Sequence, residues 1–249
     1  MKFLIRSSIC LLMVLFSVSG MAQQSAVRQD AGAIEVLKRM SSYIDSLESV
    51  SISGASSSDA RMDEGLIVSN TQEIRITRKL PGSMYFSSFD GVASKEMYIH
   101  EGTLTLFDSA TESYANAETP KDLDSALSFA LERLDIDLPL MDLIRRDVFN
   151  HIVGSNDTVL YVSDRSRVRG TDCHHLAIRT PEVDVQLWVQ EGEQPVPRRL
   201  IITAKWDGGA PRFVANMDWD ISPDVDEDQF EFKPPKGAAQ IEIIEALAD

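Results

Sequence analysis

From Val50 onward the apolar residues recur at every second position, and this pattern most limits what the chain can become. Successive side chains of a β-strand point to opposite faces, so a period of two means strands with one apolar face. "EIRITRK" puts Ile74 and Ile76 on one face and Arg75 and Thr77 on the other. "SMYFSSFDG" pairs Met84 with Phe86. "KEMYIHEGTLTLF" alternates Met97 and Ile99, turns at Glu101-Gly102, then alternates Leu104 and Leu106. "SATESYANAE" continues as a further strand or loop. A second series follows: "TVLYVSD", "TDCHHLAIRT", "VDVQLWVQ", "RRLIITAKW", "FVANMDWD" and "FEFKPP". Its turns fall at Thr180-Pro181-Glu182, Glu191-Gly192-Glu193 and Asp207-Gly208-Gly209, which suits antiparallel hairpins.

Two stretches break the period. Asp30 is placed to cap a helix that carries Ala33, Leu37, Met40, Ile44 and Leu47 as one apolar stripe, ending near Leu47. Asp122 or Asp124 starts a second helix with Leu123, Leu127, Ala130, Leu131 and Leu134 on one side. Pro139 opens a third, through "LMDLIRRDVFNHIV", which Gly154-Ser155-Asn156-Asp157 breaks. A long meander with one apolar face must cover that face, and the helices are the available cover. The expected fold class is therefore α+β: a strongly curved antiparallel sheet, an open half-barrel, with helices over its concave face. Met84, Phe86, Met97, Ile99, Leu104, Leu106, Val185, Leu187, Leu200 and Ile202 would line that face. The same set suits a filled core and a cavity for an acyl chain, with methionines as adaptable lining.

The N-terminus sets the expected compartment. Lys2 and Arg6 precede an apolar run, Ile9 to Phe16, too short to span a bilayer. Gly20-Met21-Ala22 has the small-x-small form of a signal peptidase site. Cys10 lies inside the apolar run, so it is not a lipidation cysteine. The expectation is a cleaved signal peptide over 1–22 and a soluble, unanchored periplasmic chain, 23–249, forming one domain. That chain keeps a single cysteine, Cys173, so no internal disulfide staples it. Formal net charge is −15, and −17 once Lys2 and Arg6 leave with the leader. Such a charge disfavours nucleic acid and anionic lipid surfaces as partners.

The chemistry-bearing stretch is "RGTDCHHLAIRT", Arg169 to Thr180. On a strand Cys173 and His175 share one face, while His174, Leu176 and Ile178 share the other. Three adjacent strand residues cannot converge on one tetrahedral metal. Pairing Arg179 with Asp184 sets Ala177 opposite Gln186 and His175 opposite Trp188. A one-residue slip would mix the two faces. The expectation is a structural strand with Cys173, His175 and Trp188 on the more polar outer face, His175 stacked on Trp188 and His174 towards the apolar side. No third group orients a Cys–His nucleophile pair.

Other motifs fail on spacing. "HEGTL" at His100 lacks the second histidine that a zinc-protease helix needs. "DVDEDQFEFKPP" lacks the glycine and the twelfth-position acid of a calcium loop. No phosphate loop or nucleophile elbow is present. The sequence thus points to no catalytic residues, no metal ligands and no cofactor.

"ITRKLPGSMYF", "HEGTLTLFDSATESYA", "LDIDLPLMDLI", "VRGTDCHHLAIRTPEVDVQLWVQEGEQPVPRRLIIT" and "FEFKPPKGA" carry a resemblance to a known family. The chain resembles the bacterial "predicted periplasmic protein" family of unknown function, which has the LolA/LolB-like lipoprotein-carrier fold. The resemblance runs from about Ala31 to Ile241. It implies an unclosed barrel with helices as a lid over an apolar concave face. Relatives of that fold shuttle acylated lipoproteins, bind lipids or act as envelope-stress sensors. The leading expectation is a non-catalytic binding or carrier protein for an apolar ligand, such as a lipid or an acylated lipoprotein, without stable membrane insertion. The alternative is an envelope protein-interaction or stress-sensor module with no small-molecule ligand. A metal-dependent enzyme at Cys173 and His175 is a third reading.

Overall fold

A computed structural model describes residues 29–136, 138, 140–153, 159–205 and 210–243, with backbone only for 159–164. Helix α1 (Ala31–Ser46) begins where Asp30 accepts hydrogen bonds from the Gly32 and Ala33 N–H groups. It is followed by a six-strand meander: β1 (Ser49–Arg61), β2 (Ile67–Lys79), β3 (Ser83–Phe89), β4 (Ser94–His100), β5 (Thr103–Asp108) and β6 (Ser113–Glu118). A helical insertion comes next. Helix α2 (Leu123–Leu134) is capped by Asp122, a 3-10 turn covers Met141–Leu143, and α3 is Val148–Val153. A five-strand meander completes the order: β7 (Val159–Val168), β8 (Thr171–Arg179), β9 (Val183–Gln190), β10 (Pro197–Ala204) and β11 (Arg212–Asp220). A C-terminal strap then ends in the two-residue β12 (Ala239–Gln240).

The described strands make one open sheet, in the order β12-β6-β5-β4-β3-β2-β1-β11-β10-β9-β8-β7. Two meanders are joined at a seam where β1 pairs with β11. Gly54 sits opposite Met217 in that seam, and a Cβ at Gly54 would lie 1.9 Å from the Asn216 carbonyl oxygen. The two backbones therefore close only over a glycine. The topology also explains the helical cover. The first meander ends at one side of the sheet and the second starts at the far edge. The connecting segment must cross the whole face, and it carries the apolar residues that cover it.

That cover is the core. Ala33, Leu37, Met40 and Ile44 of α1 belong to one cluster with Leu123, Ala126 and Leu127 of α2 and the apolar face of both meanders. Each fully buried Leu, Ile or Met contributes about 1.5–3 kcal/mol. The half-barrel with a covered concave face is as the sequence pattern implied.

Two local expectations change. The helix expected through "LMDLIRRDVFNHIV" is broken between Ile144 and Asp147, where Asp147 has φ 56°. Its backbone groups are claimed by neighbours. Arg146 N–H donates to Asp124, Asp147 N–H to Asp45, and Phe149 N–H to the Ser41 hydroxyl. Pro139, the expected start, and the Asp207-Gly208-Gly209 turn lie outside the described residues. "FEFKPP" is not a strand either. Pro234 and Pro235 have no N–H to give a ladder. Instead the segment lies across the convex face of the first meander, where Phe230 is fully buried. Phe232 sits 5.1–5.4 Å from the rings of Tyr98, Phe107 and Tyr114.

Arg78 pins the helices to the sheet. It shares the parity of Ile74 and Ile76, so it points to the concave side, and it is completely buried. Its guanidinium donates to the carbonyls of Ile44 (3.1 Å), Leu47 (2.8 Å) and Ile144 (2.7 Å). A cation at the C-terminal end of α1 satisfies the orphan carbonyls and the helix dipole together. Burial lowers the Arg78 pKa, and Asp45 and Asp124 oppose that shift.

Candidate functional site

The concave face is filled in the middle and open on both sides. Among the described residues, a hollow of about 40 Å³ lies under α2. Met84, Ile99, Leu104 and Leu187 are fully buried there, as packed core. The other predicted residues divide between two clefts. Phe86, Met97 and Leu106 floor a first cleft of about 670 Å³, with Ala115 behind and Ile136, Leu138, Ile241 and Ile243 on its other walls. Val185, Leu200 and Ile202 floor a second cleft of about 560 Å³, with Ile152, Ile178 and Phe213 beside them. Each volume suits a small apolar molecule or one acyl chain.

Both mouths are acidic. Lys95, Glu96, Asp108 and Glu242, with Gln72, Ser88 and Ser113, edge the first cleft. Lys95 stands directly opposite Asp108 across β4 and β5, so its charge has a partner in the rim. The second mouth carries Asp59, Asp142, Glu182, Arg212 and His151. Asp59 is held by the Ser69 hydroxyl (2.6 Å) and the Arg212 N–H (3.1 Å). No group of three or more potential metal ligands gathers among the described residues.

Sequence reasoning missed part of both linings. Ile136 and Leu138 follow α2 in an irregular stretch with no period to read. Ile241 and Ile243 arrive from the strap. Ile178 shares the strand face of Leu176, so alternation alone reaches it.

The "RGTDCHHLAIRT" strand is β8 at its centre. Its register with β9 sets Arg179 opposite Asp184, Ala177 opposite Gln186 and His175 opposite Trp188, as the charge pairing implied. The His175 and Trp188 rings stack at 4.1 Å and 8°. His175 Nε2 also bonds the Gln186 side chain at 3.1 Å. The Arg179 guanidinium grips both Asp184 oxygens at 2.7 Å and holds that carboxyl below the usual carboxylate range. This convex patch is less polar than expected. Cys173 is completely buried with Val168, Trp188 and Ile201 in a small second cluster, and Arg199 lies over the Trp188 ring. Burial pushes the Cys173 thiol up, which makes it a poor nucleophile. His174 lies half-buried on the concave side, with Nδ1 3.8 Å from Glu191.

His100 and the acidic run have structural partners. His100 ends β4, with Nδ1 3.0 Å from the Ser83 hydroxyl and its ring stacked 6.3 Å from Phe230. Glu227 pairs with Lys79, and Asp228 with Lys233 at 3.2 Å.

Residues 33–244 match the model of the family described as "Predicted periplasmic protein (DUF2092)". The chain belongs to that family. No curated protein matches it in sequence. Among solved structures, this DUF2092 chain is similar to an uncharacterized conserved protein of Thermus thermophilus, with TM-score 0.49 and 11% identity over 85% of this chain and 99% of that one. MucB aligns with TM-score 0.47 and 14% identity over 83% of this chain and 64% of its own length. The lipoprotein LppX of Mycobacterium tuberculosis aligns with TM-score 0.46 and 10% identity over 80% of this chain and 100% of that one. No described helix of the DUF2092 chain is long and apolar enough to cross a membrane.

Proposed function

We propose that the protein is a periplasmic, non-catalytic binding or carrier protein for an apolar ligand, either a lipid or an acylated lipoprotein. The observation that carries this reading is the pair of apolar clefts on the concave face, of about 670 and 560 Å³. Phe86, Met97 and Leu106 would hold a chain in one, and Val185, Leu200 and Ile202 in the other. Met84, Ile99, Leu104 and Leu187 would keep the sheet rigid beneath them. In this reading residues 1–22 are removed on export, and 23–249 act as one soluble domain without a lipid anchor. Native mass spectrometry of gently purified protein tests it. Co-purifying lipid that organic extraction removes is the expected result. A ligand-free protein that takes up no lipid from mixed micelles contradicts it.

A second reading is favoured by a separate observation. Six large apolar side chains are exposed at one end of the sheet: Met62, Leu66, Ile67 and Val68 on the β1–β2 hairpin, and Phe89 and Val92 by the β3–β4 turn. That hairpin runs past its neighbours, because the pairing of β1 with β11 stops at Ser58 and that of β2 with β3 at Glu73. An envelope protein-interaction module would use such a tip. It replaces the first reading if lipid binding is absent and a Leu66→Ser/Ile67→Ser variant loses a partner that the parent chain retains through purification.

A further inference from the structure

We infer that residues Ala239–Ile243 form a displaceable lid on the first cleft, closing over an apolar ligand and lifting to admit or release it. The inference rests on the reading of that cleft as a binding site and assigns its gate.

The lid is held differently from every other strand. Each strand pair from β1 to β11 is antiparallel and runs over at least five paired positions. The β12–β6 pair is parallel and covers two. Its backbone bonds include Ala239 N–H to the Glu112 carbonyl (2.9 Å) and Ile241 N–H to the Tyr114 carbonyl (2.8 Å). The Tyr114 hydroxyl adds a long contact to Gln240, at 3.5 Å. Each hydrogen bond contributes little net free energy, because water replaces it on opening. Each ordered residue loses conformational freedom, so a ladder of two paired positions barely offsets ordering five residues. Ile241 adds little, since it is 54% exposed, and Ile243 is only half-buried.

The chain before the lid is anchored. Lys79 pairs with Glu227, Phe230 is buried, and Phe232 sits among three aromatic rings. Between anchor and lid lies Gly237, at φ 98°, with nothing within 4 Å of where a Cβ would stand. The left-handed region favours glycine and the surrounding space is open, so the turn here, closed by Ala238 N–H to the Pro235 carbonyl (3.0 Å), marks the pivot from which the lid swings. The strap can stay docked while its last residues swing away. In the closed position Ile241 and Ile243 are walls of the cleft, so swinging them out opens its side. Segments of few buried contacts beside a binding site are where local opening is expected.

Two measurements separate the lid from the ligand. In the ligand-free full chain, hydrogen–deuterium exchange at 239–243 is expected to run about tenfold or more faster than in β4 and β5. Oxidising a Ser113→Cys/Ala239→Cys pair, whose Cα positions are register partners, should slow that exchange, and reduction should restore it. A fluorescent palmitate analogue then reports gating by stopped flow. The oxidised pair should slow both uptake and release by about tenfold or more, while a chain ending at Ala238 should speed both. Protection at 239–243 equal to that of β5 overturns the lid, as do probe kinetics that neither variant changes. If the probe binds no form of the protein, the binding reading fails, and the exchange result alone decides whether the segment opens.

Discussion

The two meanders of the sheet are covered differently, and the contrast shows how one chain makes both a rigid frame and a yielding edge. The first meander is packed on both faces. Helices held by Arg78 cover its concave side, and the strap covers its convex side with Phe230 and Phe232. The second meander has helices on one side only. Its convex side is sealed locally, by the His175–Trp188 stack and by ion pairs such as Arg179–Asp184 and Arg169–Asp218, both at 2.7 Å. Exposed pairs of that kind contribute little, so the stack and the small cluster around Cys173 carry the convex side there. The strap that stabilises the first meander also delivers its own end to the mouth of a cleft. The second cleft has no such segment among its described lining residues.

The largest expected effect comes from the pin. Arg78→Ala takes the guanidinium from three carbonyls at the helix ends, of which Ile44 keeps the Leu47 N–H, and should cost about 3–5 kcal/mol in urea unfolding. A loss under about 1 kcal/mol would mean that water replaces the guanidinium and that the helices hold the sheet without it. Phe230→Ala comes next. It removes the buried anchor of the strap and should cost about 3 kcal/mol. Exchange should rise on the convex side of β3–β6 and stay unchanged in β8–β10, if the two meanders are covered independently. His175→Ala is the smallest. It removes one ring of the stack and should cost about 0.5–1.5 kcal/mol, with acyl-probe binding unaffected. A larger loss, or any loss of binding, would give that strand a role beyond packing.

Much of this was legible in the sequence because strand alternation and hairpin charge pairing are local rules. The Arg179–Asp184 pair and the segregation of apolar and polar faces set the β8–β9 register, and Asp30 marked one helix start while Asp122 or Asp124 marked the next, which the structure gives to Asp122. What escaped depended on contacts distant in sequence. Arg78 reads as one more strand cation until its parity is seen to match Ile76, and only the fold brings three helix-end carbonyls to it. "FEFKPP" alternates like a strand, yet two prolines and an aromatic convex face make it a strap. The interrupted third helix follows the same lesson, since Asp45, Asp124 and Ser41 capture its backbone donors from other elements. The concave residues belong to one apolar cluster or pack against it. Their division into core and two clefts depends on where the helices settle, and no strand period encodes that.

The most direct measurement is a titration of delipidated protein with the fluorescent palmitate analogue, run beside Leu106→Trp and Ile202→Trp variants that fill one cleft each. The account predicts saturable binding to the parent chain at two sites. Each variant should lose one of them while keeping its unfolding midpoint within about 10 °C of the parent, since a larger side chain at a half-open position typically costs about 1–3 kcal/mol. Saturable binding that neither tryptophan alters, or no saturable binding at all, would contradict it.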